Sequence, residues 1–77
     1  MMYQVTIQDG NEVTQLTMES SAPRLAYELV LKAMGYAPHK FTTTMDLAQS
    51  NTCRVVYRSI GLGGTELNGL VKPMGEI

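Results

Sequence analysis

The chain contains a single cysteine, no tryptophan and few charged residues, which make up 17% of its 77 residues. Cys53 alone cannot form an internal disulfide, and a thiolate-rich zinc site needs several cysteine ligands. A sequence with one cysteine fits a reducing, intracellular setting. A chain of this length buries only about 60% of the surface that its unfolded form exposes, which argues against a deep catalytic cleft.

An excess of positive charge is also missing. Six Lys and Arg stand against seven Asp and Glu, so the formal net charge is −1. Without a long-range positive field, non-specific attraction to phosphate backbones is weak. The charge balance therefore disfavours nucleic acid as a partner.

Long apolar runs are absent as well. No stretch approaches the about 20 apolar residues that a membrane-spanning helix needs. The first ten residues, MMYQVTIQDG, have neither the basic start nor the apolar core of a signal peptide. The sequence predicts a cytoplasmic protein with no membrane partner.

The N-terminal segment predicts a β-hairpin. Residues 3–8 alternate apolar and polar side chains, and a second strand runs from Val13 to Glu19. A two-residue turn at Gly10-Asn11 sets Val5 opposite Leu16 and keeps the apolar side chains on one face of the hairpin.

A helix and a second hairpin are predicted to follow. Ser20 or Ser21 caps a helix over residues 22–34, and Gly35 ends it. Period-two patterns over 41–47 and 53–59 predict two more strands. The fold class is therefore α+β: a two-layer sandwich of one helix on a four-stranded antiparallel sheet, in the order ββαββ. Residues 1–60 form this domain, and residues 61–77 form a glycine-rich apolar C-terminal tail that docks on the domain or on a partner.

The glycine-rich tail does not match a nucleotide-binding loop. In a dinucleotide fingerprint beginning at Gly61, the third glycine is replaced by Glu66. A phosphate loop over Gly64 to Gly69 has Leu70 and Val71 where Lys and a hydroxyl residue are needed. No cofactor is expected.

Residues suited to catalysis are few and scattered. The strand pattern places Cys53 on the same face as Val55 and Tyr57, which predicts a small buried side chain rather than a nucleophile. His39 follows Pro38 in a loop, where it is expected to be solvated. The carboxylates show neither the paired environments of acid–base catalysis nor metal-ligand spacing. The sequence predicts a protein that is not an enzyme and has no metal site.

Two arginines mark the first candidate binding surface. Arg54 and Arg58 flank Val56 on the polar side of the last predicted strand, which is open if the helix covers the other side. Arginine binds carboxylates and phosphates with two parallel hydrogen bonds, so this side suits an acidic group of a protein or, alternatively, a nucleic acid. An ordinary solvated sheet face is the third interpretation.

The helix supplies the second candidate surface. Its apolar residues span roughly 240° of the helical circumference, whereas packing on one sheet needs a stripe only about 100° wide. Tyr27 and Leu31 exceed that stripe. We expect the tail, a second copy of the chain or a target protein to cover them, so a homodimer is one of the predicted states.

The order hairpin, helix, hairpin over residues 3–59 resembles that of small phage-encoded inhibitors, among them some anti-CRISPR proteins and inhibitors of bacterial RNA polymerase. The resemblance implies a small non-catalytic protein that occludes a surface on a larger complex. It carries over no individual residue. The net charge of −1 departs from the strongly acidic balance of inhibitors that mimic DNA.

Overall fold

The computed structural model describes residues 1–51 and 53–74. They form an α+β fold in which one helix packs on a five-stranded antiparallel sheet of strand order β2-β1-β5-β4-β3. The elements are β1 (Met2–Asp9), β2 (Glu12–Glu19), α1 (Pro23–Ala33), a short 3₁₀ helix (Pro38–Lys40), β3 (Phe41–Met45), β4 (Val55–Gly61) and β5 (Glu66–Pro73).

The first hairpin has the register that the sequence predicts. Val5 pairs with Leu16, and the ladder closes at the pair Asp9–Glu12 around a two-residue turn. Gly10 has φ 62° in this turn, a left-handed conformation that glycine adopts without steric cost. The prediction of this hairpin is confirmed.

Helix α1 also lies within one residue of its predicted bounds. Pro23 occupies its first turn, where a missing amide hydrogen costs no internal bond. At the other end Gly35 has φ 95°, and the amide of Tyr36 donates to the carbonyl of Leu31 at 3.0 Å. This is the left-handed glycine cap that the sequence predicts.

The C-terminal segment differs from the prediction. Residues 66–73 are not a tail docked on a finished domain but the central strand of the sheet, paired with β1 on one side and β4 on the other. The predicted count of four strands is wrong, and residues 1–60 lack the strand that joins the two hairpins. Alternate side chains of β5 are buried, at Leu67, Gly69 and Val71. Residues 75–77, also assigned to the tail, lie outside the described residues.

The core lies between α1 and one face of the sheet. Tyr27 and Leu31 of the helix are fully buried there, together with Val5 and Ile7 of β1. The ring of Tyr27 lies over Gly69 of β5, so closely that a Cβ atom on Gly69 would come within 2.2 Å of Tyr27 Cε1. A glycine in the central strand is therefore what admits the largest helix side chain into the core.

No helix in the described part of the chain is long and apolar enough to cross a membrane.

Candidate functional site: the open face of the sheet

One face of the sheet carries no helix within the described residues, and we call it the open face. Helix α1 packs on the opposite face, where Tyr27 approaches Ser59 and Gly69. Because side chains alternate along a strand, the residues between these buried positions face away from the helix. The open face comprises Gln4, Thr6, Gln8, Val13, Gln15, Thr17, Thr42, Thr44, Val56, Arg58, Ile60, Glu66, Asn68, Leu70 and Lys72.

A shallow groove of about 240 Å³ crosses the open face, and we call it the Val56 groove. Val56 and Leu70 lie side by side in neighbouring strands, and both side chains are half-buried. Thr6 pairs with Leu70 from the other side. The remaining lining residues are Gln8, Val13, Gln49, Arg54, Asn68 and Gly69. The groove therefore combines two adjacent aliphatic side chains with amide groups and one guanidinium group.

Arg54 is positioned by the loop before β4. Asn51 Oδ1 accepts hydrogen bonds from the amides of Cys53 at 2.8 Å and Arg54 at 3.1 Å, and the amide of Asn51 donates to the carbonyl of Arg54 at 2.9 Å. Asparagine side chains commonly hold turns in this way. The arginine side chain itself is exposed and makes no ion pair with any described residue.

The Ser50 hydroxyl and the Asp46 carboxylate hold the rest of that loop through three hydrogen bonds. Ser50 Oγ accepts the amide of Val56 at 2.9 Å and donates to the carbonyl of Asp46 at 2.9 Å. The Asp46 carboxylate accepts Gln49 Nε2 at 2.8 Å, which orients that amide beside the groove. Hydrogen bonds within the loop therefore hold the polar rim of the Val56 groove in place.

Arg58 lies on the same face as Arg54 and Val56, as predicted. Unlike Arg54, it is paired with a carboxylate. Its Nε donates to Glu66 Oε2 at 2.7 Å, and this hydrogen bond raises the pKa of the guanidinium group. Glu66 neutralises Arg58 locally, whereas Arg54 has no ion-pair partner among residues 1–51 and 53–74. Exposed ion pairs of this kind contribute little to stability.

The other two predicted binding residues are not on the surface. Tyr27 and Leu31 are fully buried between α1 and the sheet, so their assignment to a partner-binding surface is wrong for the folded chain. The fifth strand widens the sheet face beneath the helix, and the core uses more of the helical circumference than a four-stranded sheet requires. On the helix, Leu25 and Leu29 are the exposed large apolar residues instead.

The residues considered for catalysis are far apart. His39 precedes β3 at the end of the sheet where Phe41 pairs with Gly61, and Cys53 precedes β4 at the end where Met45 pairs with Tyr57. Four residues of strand separate these ends by about 13 Å. Cys53 is also exposed, contrary to the prediction, because β4 begins at Val55 and residue 53 lies in a turn. Within residues 1–51 and 53–74, no group of three His, Cys, Asp or Glu side chains is placed to hold a metal ion.

Sequence reasoning does not find the part of the Val56 groove that β5 and the loop before β4 supply. Asn68, Gly69 and Leu70 belong to β5, which the sequence pattern places in the tail, and Gln49 lies in a loop whose direction that pattern does not define. The alternation of Leu67, Gly69 and Val71 is the signal that identifies the strand, provided that glycine is accepted as an inward-facing residue.

No protein-family model matches this chain, and neither the curated proteins nor the solved structures include a match.

Proposed function

We propose that this chain is a small non-catalytic interaction protein, and that its Val56 groove binds a protein segment that presents an aliphatic side chain next to a carboxylate. The observation that carries the proposal is the position of Arg54. Its exposed guanidinium group has no ionic partner among the described residues and borders a groove with an apolar floor.

The chemistry of the groove defines the ligand class. A guanidinium group binds a carboxylate through two parallel hydrogen bonds, and Gln49 and Asn68 supply further donors and acceptors at the rim. Val56 and Leu70 offer apolar surface for a side chain of the partner, and burial of that surface contributes roughly 25 cal/mol per Å². An acidic residue beside Leu, Ile or Val satisfies both features at once.

Three observations favour a protein over a nucleic acid at this face. The aromatic residues Tyr3, Tyr27 and Tyr57 are buried on the helix side of the sheet, and Tyr36 and Phe41 pack against the same core, so no aromatic ring is available to stack a base. Arg58 is neutralised by Glu66. The net charge of −1 provides no general attraction to phosphates.

The resemblance to phage-encoded inhibitors extends the proposal to a mode of action. In this mode a small domain that binds through one sheet face acts by covering a surface on a larger protein complex. This inhibitor role, of the anti-CRISPR or polymerase-inhibitor type, remains a prediction from the order of the elements.

A displayed library of random peptides tests the binding chemistry directly. The library is selected on the immobilised wild-type protein alone, and the enriched peptides are then measured on an Arg54→Ala variant. We expect the enriched peptides to place Asp or Glu next to an aliphatic residue. Their affinity is expected to fall at least roughly tenfold on Arg54→Ala, because a charge-assisted bidentate pair is lost.

Two control variants make the result specific. Lys72→Ala removes a different exposed cation from the open face outside the groove and should leave the affinity unchanged. Val56→Asp should abolish binding because it places a charge on the apolar floor. Peptides that bind Arg54→Ala as well as wild type contradict the proposal. Salt-sensitive binding of a single-stranded oligonucleotide through Arg54 supports the nucleic-acid alternative instead.

A further inference from the structure

The two edges of the sheet differ in how well they are protected against pairing. β3 is five residues long, follows the 3₁₀ helix directly, and the amide of Phe41 is already bonded to the carbonyl of Pro38. β2 is eight residues long and pairs with β1 at every position without a bulge. Its sequence, EVTQLTME, contains no proline, lysine or arginine. Natural edge strands usually carry such features to prevent association.

The hairpin register shows which backbone groups of β2 are free to pair. In an antiparallel ladder, alternate residue pairs exchange both hydrogen bonds, and a two-residue turn makes the pair that closes it, here Asp9–Glu12, one of them. The even-numbered residues of β2 therefore bond to β1. The amides and carbonyls of Val13, Gln15, Thr17 and Glu19 face outward, where the sheet has no further strand among the described residues.

This alternation of paired and outward-facing backbone groups restricts how the β2 strand of a second copy can pair with the edge. A β2 residue whose amide and carbonyl face outward must pair with such a residue of the second copy. The side chains of these residues all lie on the open face. Two antiparallel β2 strands related by a twofold axis therefore place both helices on the same side of the joined sheet. The register that pairs Gln15 with Thr17 of the second copy also places Val13 opposite Glu19 and Glu12 opposite Ser20. No like charges are opposed in it.

The same register brings one exposed apolar residue onto the twofold axis. Leu16 is 38% exposed on the helix side and becomes paired with Leu16 of the second copy, in a non-hydrogen-bonded position where side chains approach most closely. Met18 then lies opposite Thr14. A shift of two residues, which also leaves seven residues paired, sets Leu16 opposite Thr14 and so loses the contact between the two Leu16 side chains.

We propose that β2 is a self-association edge, and that the chain forms a twofold-symmetric dimer with a continuous ten-stranded sheet centred on Leu16. The proposal goes beyond the peptide-binding role of the Val56 groove and uses the outer backbone edge of β2, which shares only Val13 with that groove. It accounts for an edge that is long, regular and free of bulges, proline, lysine and arginine by assigning it a partner of identical sequence.

Cysteine cross-linking tests the register. In a Cys53→Ser background, Leu16→Cys places two thiols across a pair whose Cα atoms are about 4.5 Å apart, within the range of a disulfide. We expect mild oxidation to produce a covalent dimer of twice the 8.5 kDa chain mass. Thr14→Cys alone should give no covalent dimer, since its two copies are about 14 Å apart, and the double variant Thr14→Cys/Met18→Cys should cross-link.

Analytical ultracentrifugation from micromolar to millimolar concentrations tests the association itself. Wild type should show a monomer–dimer equilibrium. Gln15→Lys/Thr17→Lys sets like charges opposite each other in the dimer and should weaken association roughly tenfold or more. The matched control Thr42→Lys/Thr44→Lys adds the same charge at the opposite edge and should not change it.

Several outcomes overturn the proposal: a chain that stays monomeric at millimolar concentration, a dimer that cross-links through Thr14→Cys but not through Leu16→Cys, or equal effects of the two lysine pairs. Circular dichroism of each variant excludes unfolding as the cause of a lost dimer.

Discussion

Replacement of Gly69 by alanine is expected to destabilise the protein, although the same change in an ordinary strand is stabilising. Glycine costs roughly 0.5–1 kcal/mol relative to alanine inside a strand because it loses more backbone freedom on folding. Gly69 is not among the glycines with positive φ, so an alanine accepts its backbone conformation. On backbone grounds alone, Gly69→Ala would raise stability.

The packing around Gly69 turns this expected gain in stability into a loss. A Cβ atom at residue 69 would lie 2.2 Å from Tyr27 Cε1 and 2.6 Å from Cδ1, so the ring has to move. The Tyr27 ring is fully buried, stacks on Tyr57 at 5.2 Å between ring centroids, and its hydroxyl is bonded to Ser59 Oγ at 2.7 Å. Overpacking costs about 1–3 kcal/mol and loss of the hydrogen bond about 1 kcal/mol. After the backbone gain is subtracted, we expect a net loss of about 2 kcal/mol.

Urea denaturation of five proteins measures this effect. Gly63→Ala is the control, since nothing lies within 4 Å of its Cβ position and its stability should stay within about 0.5 kcal/mol of wild type. In a Tyr27→Leu background, which removes the ring atoms, Gly69→Ala should cost little or nothing further. A Gly69→Ala protein as stable as wild type, or more stable, would refute the close packing of Tyr27 on β5.

Three further predictions concern the core and the turn before β4. Burial raises the pKa of Tyr27 and Tyr57, so the folded state holds these protons more tightly than the unfolded chain. Their contribution is complete below about pH 10 and is lost as the pH rises through the raised values, so urea midpoints should fall above pH 10, and less steeply in Tyr27→Phe. Truncation after Ile60 removes the central strand and should abolish cooperative unfolding by circular dichroism, whereas a folded truncated protein would contradict the strand order. Cys53→Ser should change stability by less than about 0.5 kcal/mol, because residue 53 is exposed; a loss of several times that value would indicate a buried thiol.

The parts of the fold that sequence predicts are those governed by local pattern. The first hairpin follows from alternation over a few residues and a turn containing Gly10, and α1 follows from Pro23 near its start and Gly35 after its end. Each of these signals lies within the element that it defines. For the same reason, the placement of Arg54 and Val56 on one face could be predicted from the spacing of two residues.

The parts that sequence does not predict depend on distant pairing. The sequence pattern does not indicate β5, because Gly69 occupies an inward position where alternation predicts an apolar side chain. A glycine is required there by the ring of Tyr27, which lies 42 residues earlier in the chain. Once β5 is absent from the prediction, the helix appears too apolar, and Leu31 is assigned to the surface. The ion pair of Arg58 with Glu66 cannot be predicted without β5 either, because the two residues are neighbours only through the pairing of β4 with β5.

Nuclear magnetic resonance titration of the uniformly ¹⁵N-labelled protein with a selected acidic, aliphatic peptide tests most directly whether the open face binds a protein ligand. We expect the largest shift changes at the amides of Arg54, Val56 and Leu70 and at the side-chain amides of Gln49 and Asn68, with little change along α1. The Arg54→Ala protein should show none of these changes at the same peptide concentration. Shift changes centred on α1 near Leu25 and Leu29, or an unaltered titration of Arg54→Ala, would contradict the assignment of the Val56 groove as the binding site.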